Sequence, residues 1–302
     1  MPNRRSFLAY SLGLGSMVFS PMQTSANAPL PLRTRLIPAD QRPLPILGLG
    51  TWARFADDGP TRQVLGAFVG AGGRLIDSSP MYGDAEVAVG TLVSDLKPSE
   101  PLFTATKVWT TGREPGRRQI DTSIARMGHV DLLQIHNLLD WKTHIETLRA
   151  LQSEGRIRYV GLTHYQDSAH AELERLITRL KPEFIQVNLS IADRHAETRL
   201  LPMAADAGVA VLINRPFEEG ALFESVRGLN VPDAAKELGL TSWAQVFLAF
   251  VMAHPAVTCV LAATKQPHHL EDNLQAARLP ALTSRQREQL RTLWTSATDA
   301  SV

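Results

Sequence analysis

DLLQIHNLLDWKTHIETLRALQSEGRIRYVGL, residues 131–162, is the stretch that decides the fold. It opens on a short apolar run at 131–135 and closes on another at 159–162. Between them Ile145, Leu148 and Leu151 fall at helical spacing, with Glu146 and Arg149 on the opposite face. Gly155 follows as a helix stop. A strand, an amphipathic helix and a second strand in that order predict one parallel βα unit. The same alternation extends in both directions. Apolar runs stand at 46–49, 74–76, 102–106, 184–187, 209–213 and 257–261, and helix-like segments at 61–71, 120–127, 168–180 and 243–253. Most of the runs are continuously apolar, as expected of strands covered on both faces. Eight such strands in a chain of this size predict an α/β fold of the (β/α)₈ TIM-barrel type. The rival, a doubly wound open sheet, needs a glycine-rich phosphate turn after its first strand. Gly48-Leu49-Gly50-Thr51-Trp52 lacks the third glycine and leads into residues 53–59, not directly into a helix.

No low-complexity linker interrupts residues 29–302, so one barrel domain is expected there. Its Pro-rich opening, residues 29–45, is expected to form a short hairpin closing the barrel floor. With 302 residues and 44% hydrophobic content the chain can bury a large core. A formal charge of +1 leaves no footprint for nucleic acid or another polyanion. The single cysteine, Cys259, has no partner for an internal disulfide and sits in an apolar run, as a core residue would.

Residues 1–28 read as a separate segment. Asn3-Arg4-Arg5-Ser6-Phe7-Leu8 is followed by a mildly apolar stretch at 9–19 and by Ala26-Asn27-Ala28, a small-residue cleavage pattern. This is the pattern of a signal peptide, and the paired arginines are similar to the twin-arginine type. The apolar stretch is short for a membrane span, which needs about 20 residues. The expectation is export to the periplasm or beyond by the twin-arginine machinery, with no stable membrane span in the mature chain. Cleavage takes two of the 31 basic side chains and none of the 30 acidic ones, and the formal charge becomes −1.

In a (β/α)₈ enzyme the working residues lie where strands end, on the C-terminal face. The second strand ends at Asp77, and its loop carries Tyr82. The third ends at Thr106-Lys107 and the fourth at His136. Each of these has a plain structural explanation when taken alone: a cap, a packed ring, a solvated strand end, a satisfied histidine. Together they make an acid–base group on one rim. A buried Lys–Asp pair is expected to lower the pKa of the tyrosine hydroxyl. That hydroxyl would donate a proton to a carbonyl oxygen while hydride arrives at the carbon, with His136 orienting the carbonyl. No metal-ligand spacing appears, and no Gly-x-Ser-x-Gly elbow.

Residues 48–52, Asp77 through Glu86, Thr106-Lys107 and Asp131 through His136 resemble, in order, the motifs of the aldo-keto reductase family. The likeness covers almost the whole mature chain. It implies a catalytic tetrad of Asp77, Tyr82, Lys107 and His136, with tyrosine as general acid, and a nicotinamide cofactor, NADP(H) in preference to NAD(H). By the same resemblance Gly50, Thr51, Thr163, His164, Gln186, Asn214 and Arg215 fall on the nicotinamide and pyrophosphate side. Thr264, Lys265, His269, Asp272 and Asn273 fall on the adenosine-phosphate clamp. Thr163-His164 stands where the family has Ser-Asn, and Asn214-Arg215 where it often has an aromatic ring. Ala263 and His269 replace basic residues common in the clamp, which leaves the phosphate site resting on Lys265.

The implied activity is reduction of a small-molecule aldehyde or ketone. A nucleotide-binding sensor or regulatory barrel with little turnover is the alternative, since fold alone does not choose. A metal-free hydrolase or lyase using Lys107 would leave Gly50-Thr51 and Gln186 unexplained. Trp52, Trp109 and Trp141 suggest an aromatic-walled substrate pocket. The loops at 52–59, 137–141 and 217–229, with the final residues, are expected to shape it.

Overall fold

A hairpin comes first in the structure, a computed structural model that describes residues 30–52 and 55–299. Strand β1 (Thr34–Leu36) pairs antiparallel with β2 (Pro43–Pro45). The signal segment read in residues 1–28 lies outside the described residues, as do residues 300–302. Eight parallel strands then close on themselves: β3 (Leu47–Gly50), β4 (Leu75–Asp77), β5 (Phe103–Val108), β6 (Leu132–His136), β7 (Tyr159–Thr163), β8 (Phe184–Asn188), β9 (Ala210–Asn214) and β10 (Val257–Ala262). β10 pairs with β3 and completes the barrel.

The connecting helices are α1 (Gly59–Gly70), α2 (Ala85–Leu96), α3 (Arg113–Met127), α4 (Trp141–Ser153) and α5 (His170–Leu180). Four short helices follow β8 and β9: α6 (His195–Thr198), α7 (Leu200–Asp206), α8 (Ala221–Ser225) and α9 (Asp233–Lys236). The chain ends on α10 (Trp243–Met252), α11 (Pro267–Arg278) and α12 (Ser284–Asp299). The described residues from Pro31 onward hold together as one compact unit.

The expected strands and helices are found, with boundaries moved for physical reasons. α3 begins seven residues before the apolar signal at Ile120, because its first turns carry charged residues that stay at the surface. Most strands run one or two residues past their apolar stretch. Those extra residues include Asp77, Lys107, His136 and Thr163, which are polar yet buried.

Alternation along each strand divides the core in two. Outward positions such as Ile76, Leu133, Ile135, Val160, Leu162, Ile185, Val187, Val211 and Ile213 join the layer between barrel and helices. Inward positions, among them Leu75, Phe103, Ala105, Leu132, Tyr159, Phe184 and Leu212, fill the lower barrel. Ile37 and Leu44 of the hairpin segment belong to that inner cluster and are fully or almost fully buried, so the hairpin does close the floor. Tyr159 donates its hydroxyl to Asp40 of the same segment at 2.6 Å. Towards the C-terminal end the same inward positions turn polar. Asp77, Lys107, Gln134, His136, Thr163 and Gln186 replace hydrocarbon there, all of them buried. Cys259 is buried in the inner cluster, and burial pushes its thiol well above the ordinary range, as an inert core residue requires.

Candidate active site

The ion pair between Asp77 and Lys107 sits at the centre of the upper barrel. Lys107 Nζ donates to Asp77 Oδ2 at 2.6 Å and to the Ser78 carbonyl at 2.7 Å, with the lysine wholly buried. The second carboxylate oxygen accepts from Gln134 Nε2 at 3.0 Å and Gln186 Nε2 at 3.1 Å. Both oxygens of the buried carboxylate are thereby satisfied, as a desolvated charge demands. Register explains the meeting. Lys107 lies opposite Gln134, and Gly50 opposite Asp77. Gly161 leaves room inside the barrel, since a Cβ there would stand 2.8 Å from Gln134 Cγ.

Tyr82 arrives from the loop after β4, its N–H donating to the Ser79 carbonyl at 2.9 Å. Its ring centroid lies 4.9 Å from Lys107 Nζ, 5.0 Å from the Trp52 ring and 6.1 Å from the His136 ring. Burial raises the phenol above its ordinary value of 10.0 and outweighs the pull of Lys107 in the other direction. The expected lowering by the Lys–Asp pair is thus corrected. Lys107 moderates a rise that burial dominates, and Tyr82 is a protonated phenol at neutral pH. Burial alone would lower the pKa of Lys107, but Asp77 and Tyr82 carry it above its ordinary value, so it stays charged. Burial first, then Lys107 and His164, lower His136 to about 3, and its ring is neutral.

These groups open onto a cavity of about 820 Å³. Gly50, Thr51, Thr163, Gln186, Asn214 and Arg215 line it. Thr163 Oγ1 reaches Gln186 Oε1 at 3.4 Å, and the Asn214 side-chain oxygen is buried without a partner among the described residues. His164 is not in the wall; it stacks on Tyr165 and accepts the Gln166 N–H. Thr264, Lys265, His269, Asp272 and Asn273 lie beyond the cavity wall, at the end of β10 and along the start of α11. Lys265 pairs with Asp58 at 3.6 Å. Asp272 accepts from Ser242 Oγ at 2.5 Å and Gln245 Nε2 at 2.6 Å, which ties α11 to α10. Among the described residues Asp167, Asp193 and His195 form the one group with metal-competent spacing; it is mostly exposed and ion-paired within itself.

Of the three tryptophans expected at the pocket, out of five in the chain, Trp52 and Trp109 line the cavity. Trp141 does not. It opens α4, under the cations of Lys142 and Arg179. Tyr165, Phe217 and Phe223 complete the aromatic wall instead. Phe217 and Phe223 fall in the 217–229 segment expected to shape the pocket, whereas sequence reasoning missed Tyr165, Gln134 and Ser79. A two-residue count back from His136 along its strand would have found Gln134, since both point inward.

The Aldo/keto reductase family model matches residues 46–295. The chain belongs to this family, the NAD(P)H-dependent oxidoreductases its motifs resemble, and is an enzyme of that class. It is 29% identical over 232 residues to an NADH-specific methylglyoxal reductase of Escherichia coli, a match covering 63% of this chain and 69% of that one. A second methylglyoxal reductase of Escherichia coli, YeaE, is 28% identical over 74% of this chain and 83% of its own. Among solved structures, a holo aldo-keto reductase from Bacillus halodurans shares the fold with a TM-score of 0.71 at 21% identity, over 87% of this chain and 96% of that one. An aldo/keto reductase from Klebsiella pneumoniae in complex with NADP and acetate follows at 0.68 and 25%, over 84% and 93%.

Replacing Lys107 by methionine removes the cation that holds the Tyr82 pKa down. The rate of the oxidoreductase reaction should fall by about tenfold or more. An alkaline limb of the pH profile set by loss of the Tyr82 proton should move to higher pH. A pH–rate profile on folded Lys107→Met protein checks this, and an unmoved limb would disprove the coupling.

Proposed function

We propose that this enzyme reduces aldehydes or ketones to alcohols, with Tyr82 as the general acid. The observation that carries the proposal is the buried Asp77–Lys107 pair with its ammonium 4.9 Å from the Tyr82 ring centroid, at the mouth of an aromatic-walled cavity. The residues present suit a nicotinamide dinucleotide. Asn214 offers a buried acceptor without a partner among the described residues, on the wall beside Thr163 and Gln186, where a carboxamide needs one. Thr163, Gln186 and Asn214 would hold the carboxamide, Gly50 and Thr51 would border it, and Arg215 would meet the pyrophosphate. Thr264, Lys265, His269 and Asn273 would take the adenosine end, with Asp272 and His164 fixing the segments around them. Bound there, the cofactor supplies the hydride.

As charge builds on the carbonyl oxygen, Tyr82 gives that oxygen its proton. The Lys107 ammonium stabilises the tyrosinate left behind, and Asp77 keeps the lysine charged. His136, neutral, holds the carbonyl by a hydrogen bond. The rings of Trp52, Trp109, Tyr165, Phe217 and Phe223 suit a substrate with an apolar or aromatic body. The two methylglyoxal reductases among the relatives put 2-oxoaldehydes in the first substrate panel. Tyr82→Phe keeps the ring and deletes only the proton donor. Turnover should fall by about 10²–10⁴-fold with cofactor affinity nearly intact; steady-state kinetics showing undiminished turnover would refute the assignment.

For the cofactor we propose a modest preference for NADP(H). The Klebsiella pneumoniae structure with NADP supports it, whereas the NADH-specific relative points the other way. Locally, Asp58 partly neutralises Lys265, the cation available to an adenosine phosphate. Lys265→Ala should cost NADPH about tenfold in affinity and hardly affect NADH. Asp58→Asn should tighten NADPH while still capping α1, where Asp58 accepts the Thr61 N–H at 2.8 Å. Burial and His268 lower the His269 pKa, so any gain in phosphate affinity on acidification belongs below the ordinary histidine range. Dissociation constants for both cofactors check all three points, and equal losses of NADPH and NADH in Lys265→Ala would exclude a phosphate contact.

We also propose that residues 1–28 are a twin-arginine-type signal peptide and that the barrel works after export, in the periplasm or beyond. The residues Arg4-Arg5-Ser6-Phe7-Leu8 and the small-residue site at Ala26-Asn27-Ala28 support this. No helix among the described residues is long and apolar enough to cross a membrane. Arg4→Lys combined with Arg5→Lys preserves the charge and removes the guanidinium pair. Fractionation should find the double variant retained in the cytoplasm; continued export would point to the general secretory route.

A further inference from the structure

We infer that Ser79 sets the tautomer of His136, so that the imidazole turns a protonated Nε2 towards the cavity as a hydrogen-bond donor. Ser79 is wholly buried in the loop after β4. Among the described residues its Oγ has two neighbours, the Met81 N–H at 3.3 Å and His136 Nδ1 at 3.1 Å. A backbone N–H only donates, so Met81 uses a lone pair of the hydroxyl. The hydroxyl proton then has a single acceptor within reach, which is Nδ1. Were Nδ1 protonated, both neighbours would donate to Oγ, and the serine proton would be buried with no acceptor, a state that native structures avoid.

Nδ1 therefore accepts. A neutral ring with Nδ1 unprotonated carries its proton on Nε2. The doubly protonated ring is disfavoured by the same geometry. Burial weighs most against a second proton on the ring, the fixed charge of Lys107 comes next, and His164 adds a smaller push in the same direction. Nε2 has no partner among the described residues, and the ring lines the cavity between Tyr82, at 6.1 Å, and Trp109, at 6.3 Å. Ser79 also accepts the Tyr82 N–H on its carbonyl at 2.9 Å. One residue thus positions the tyrosine through its backbone and the imidazole through its side chain. Ser78, its neighbour, faces elsewhere and accepts from Thr51 Oγ1 at 3.1 Å. In the opposite tautomer a lone pair of Nε2 would meet the carbonyl oxygen, and the two would repel. This role for the Nε2 proton rests on the carbonyl-reduction reading; the tautomer itself does not.

The test is a two-bond ¹H–¹⁵N correlation on histidine-labelled enzyme, with the His136 pattern identified by its loss in His136→Asn. The wild type at neutral pH should show an unprotonated Nδ1 and a protonated Nε2 for this residue. Ser79→Ala should return His136 to a mixture of tautomers. It should also lower kcat by about tenfold, the loss expected for one hydrogen bond, with the cofactor dissociation constant unchanged. A protonated Nδ1 in the wild type overturns the inference, and so does a Ser79→Ala variant with unaltered tautomer and kcat. Should the alanine variant fail to fold, the wild-type spectrum decides alone. Undiminished turnover in Tyr82→Phe would remove the reduction proposal while leaving the His136 spectrum as it is.

Discussion

A lysine ammonium with no solvent exposure is the constraint around which the upper barrel is built. Desolvating Lys107 is tolerable only with a full set of acceptors, and Asp77 and the Ser78 carbonyl supply them at 2.6 and 2.7 Å. Asp77 in turn needs donors for its other oxygen, and takes them from Gln134 and Gln186 on two further strands. Four strands, β4, β5, β6 and β8, are thus joined through side chains as well as through their ladders. Closure of the barrel makes this possible, because it points inward positions from non-adjacent strands at one another. Gly161 on β7 contributes by having no side chain where Gln134 must pass.

The consequence is a graded interior. Hydrocarbon at the floor, from Ile37 and Leu44 up through Phe103, Tyr159 and Phe184, anchors the fold. Polar groups occupy the same inward rows one or two positions later. The apolar floor and walls keep the environment dry, and dryness decides protonation: it raises Tyr82 and lowers His136. Lys107 does not reverse the effect on Tyr82. It limits it, so that the phenol is protonated at rest while its anion has a cation close by. A dry site with one compensated charge therefore yields a neutral acid, a neutral imidazole and a fixed ammonium.

Much of this was legible in the sequence, because the period of the barrel is written into it. Apolar runs marked the strands, and the first polar residue after each run marked the rim, which brought out Asp77, Lys107 and His136. What escaped has a common cause. Ser79 and Gln134 matter through partners that only the strand register and the loop path specify, and each is unremarkable beside its own neighbours in the chain. The aromatic wall shows the same limit. Trp52 and Trp109 stand on rim loops and face the cavity, whereas Trp141 begins α4 and is drawn away beneath Lys142 and Arg179. Its place was taken by Tyr165, on a loop whose path no periodicity encodes, and by Phe223, on the one-turn helix α8. The direction of the Tyr82 shift was misjudged for a related reason: a charged pair is visible in sequence, but the burial opposing it is not.

Backbone strain marks the same rim independently of side-chain chemistry. Asn137, Leu138 and Asp140 in the loop after β6, and Arg215, Glu218 and Glu219 in the loop after β9, all have positive φ. Such conformations cost of order 1–3 kcal/mol each for non-glycine residues and persist only where surroundings over-determine them. Gln41, Lys97 and Lys181 share the feature elsewhere, Gln41 in the turn between β1 and β2 and the two lysines as ordinary left-handed caps of α2 and α5. On the rim each strained turn aims something at the cavity. Asp140 accepts the Gly112 N–H at 2.7 Å, tying the loop after β6 to the one that carries Trp109 past His136. Arg215, at φ 51° and directly before Pro216, lays its guanidinium 4.5 Å from the centroid of the Tyr165 ring and pairs with Glu219 at 2.9 Å. That cation is near enough to Tyr82 to add its own small downward pull on the phenol. The barrel strands fix the acid–base group by packing. The strained loops place the aromatic and cationic groups around it, where their geometry must be held without the support of a sheet.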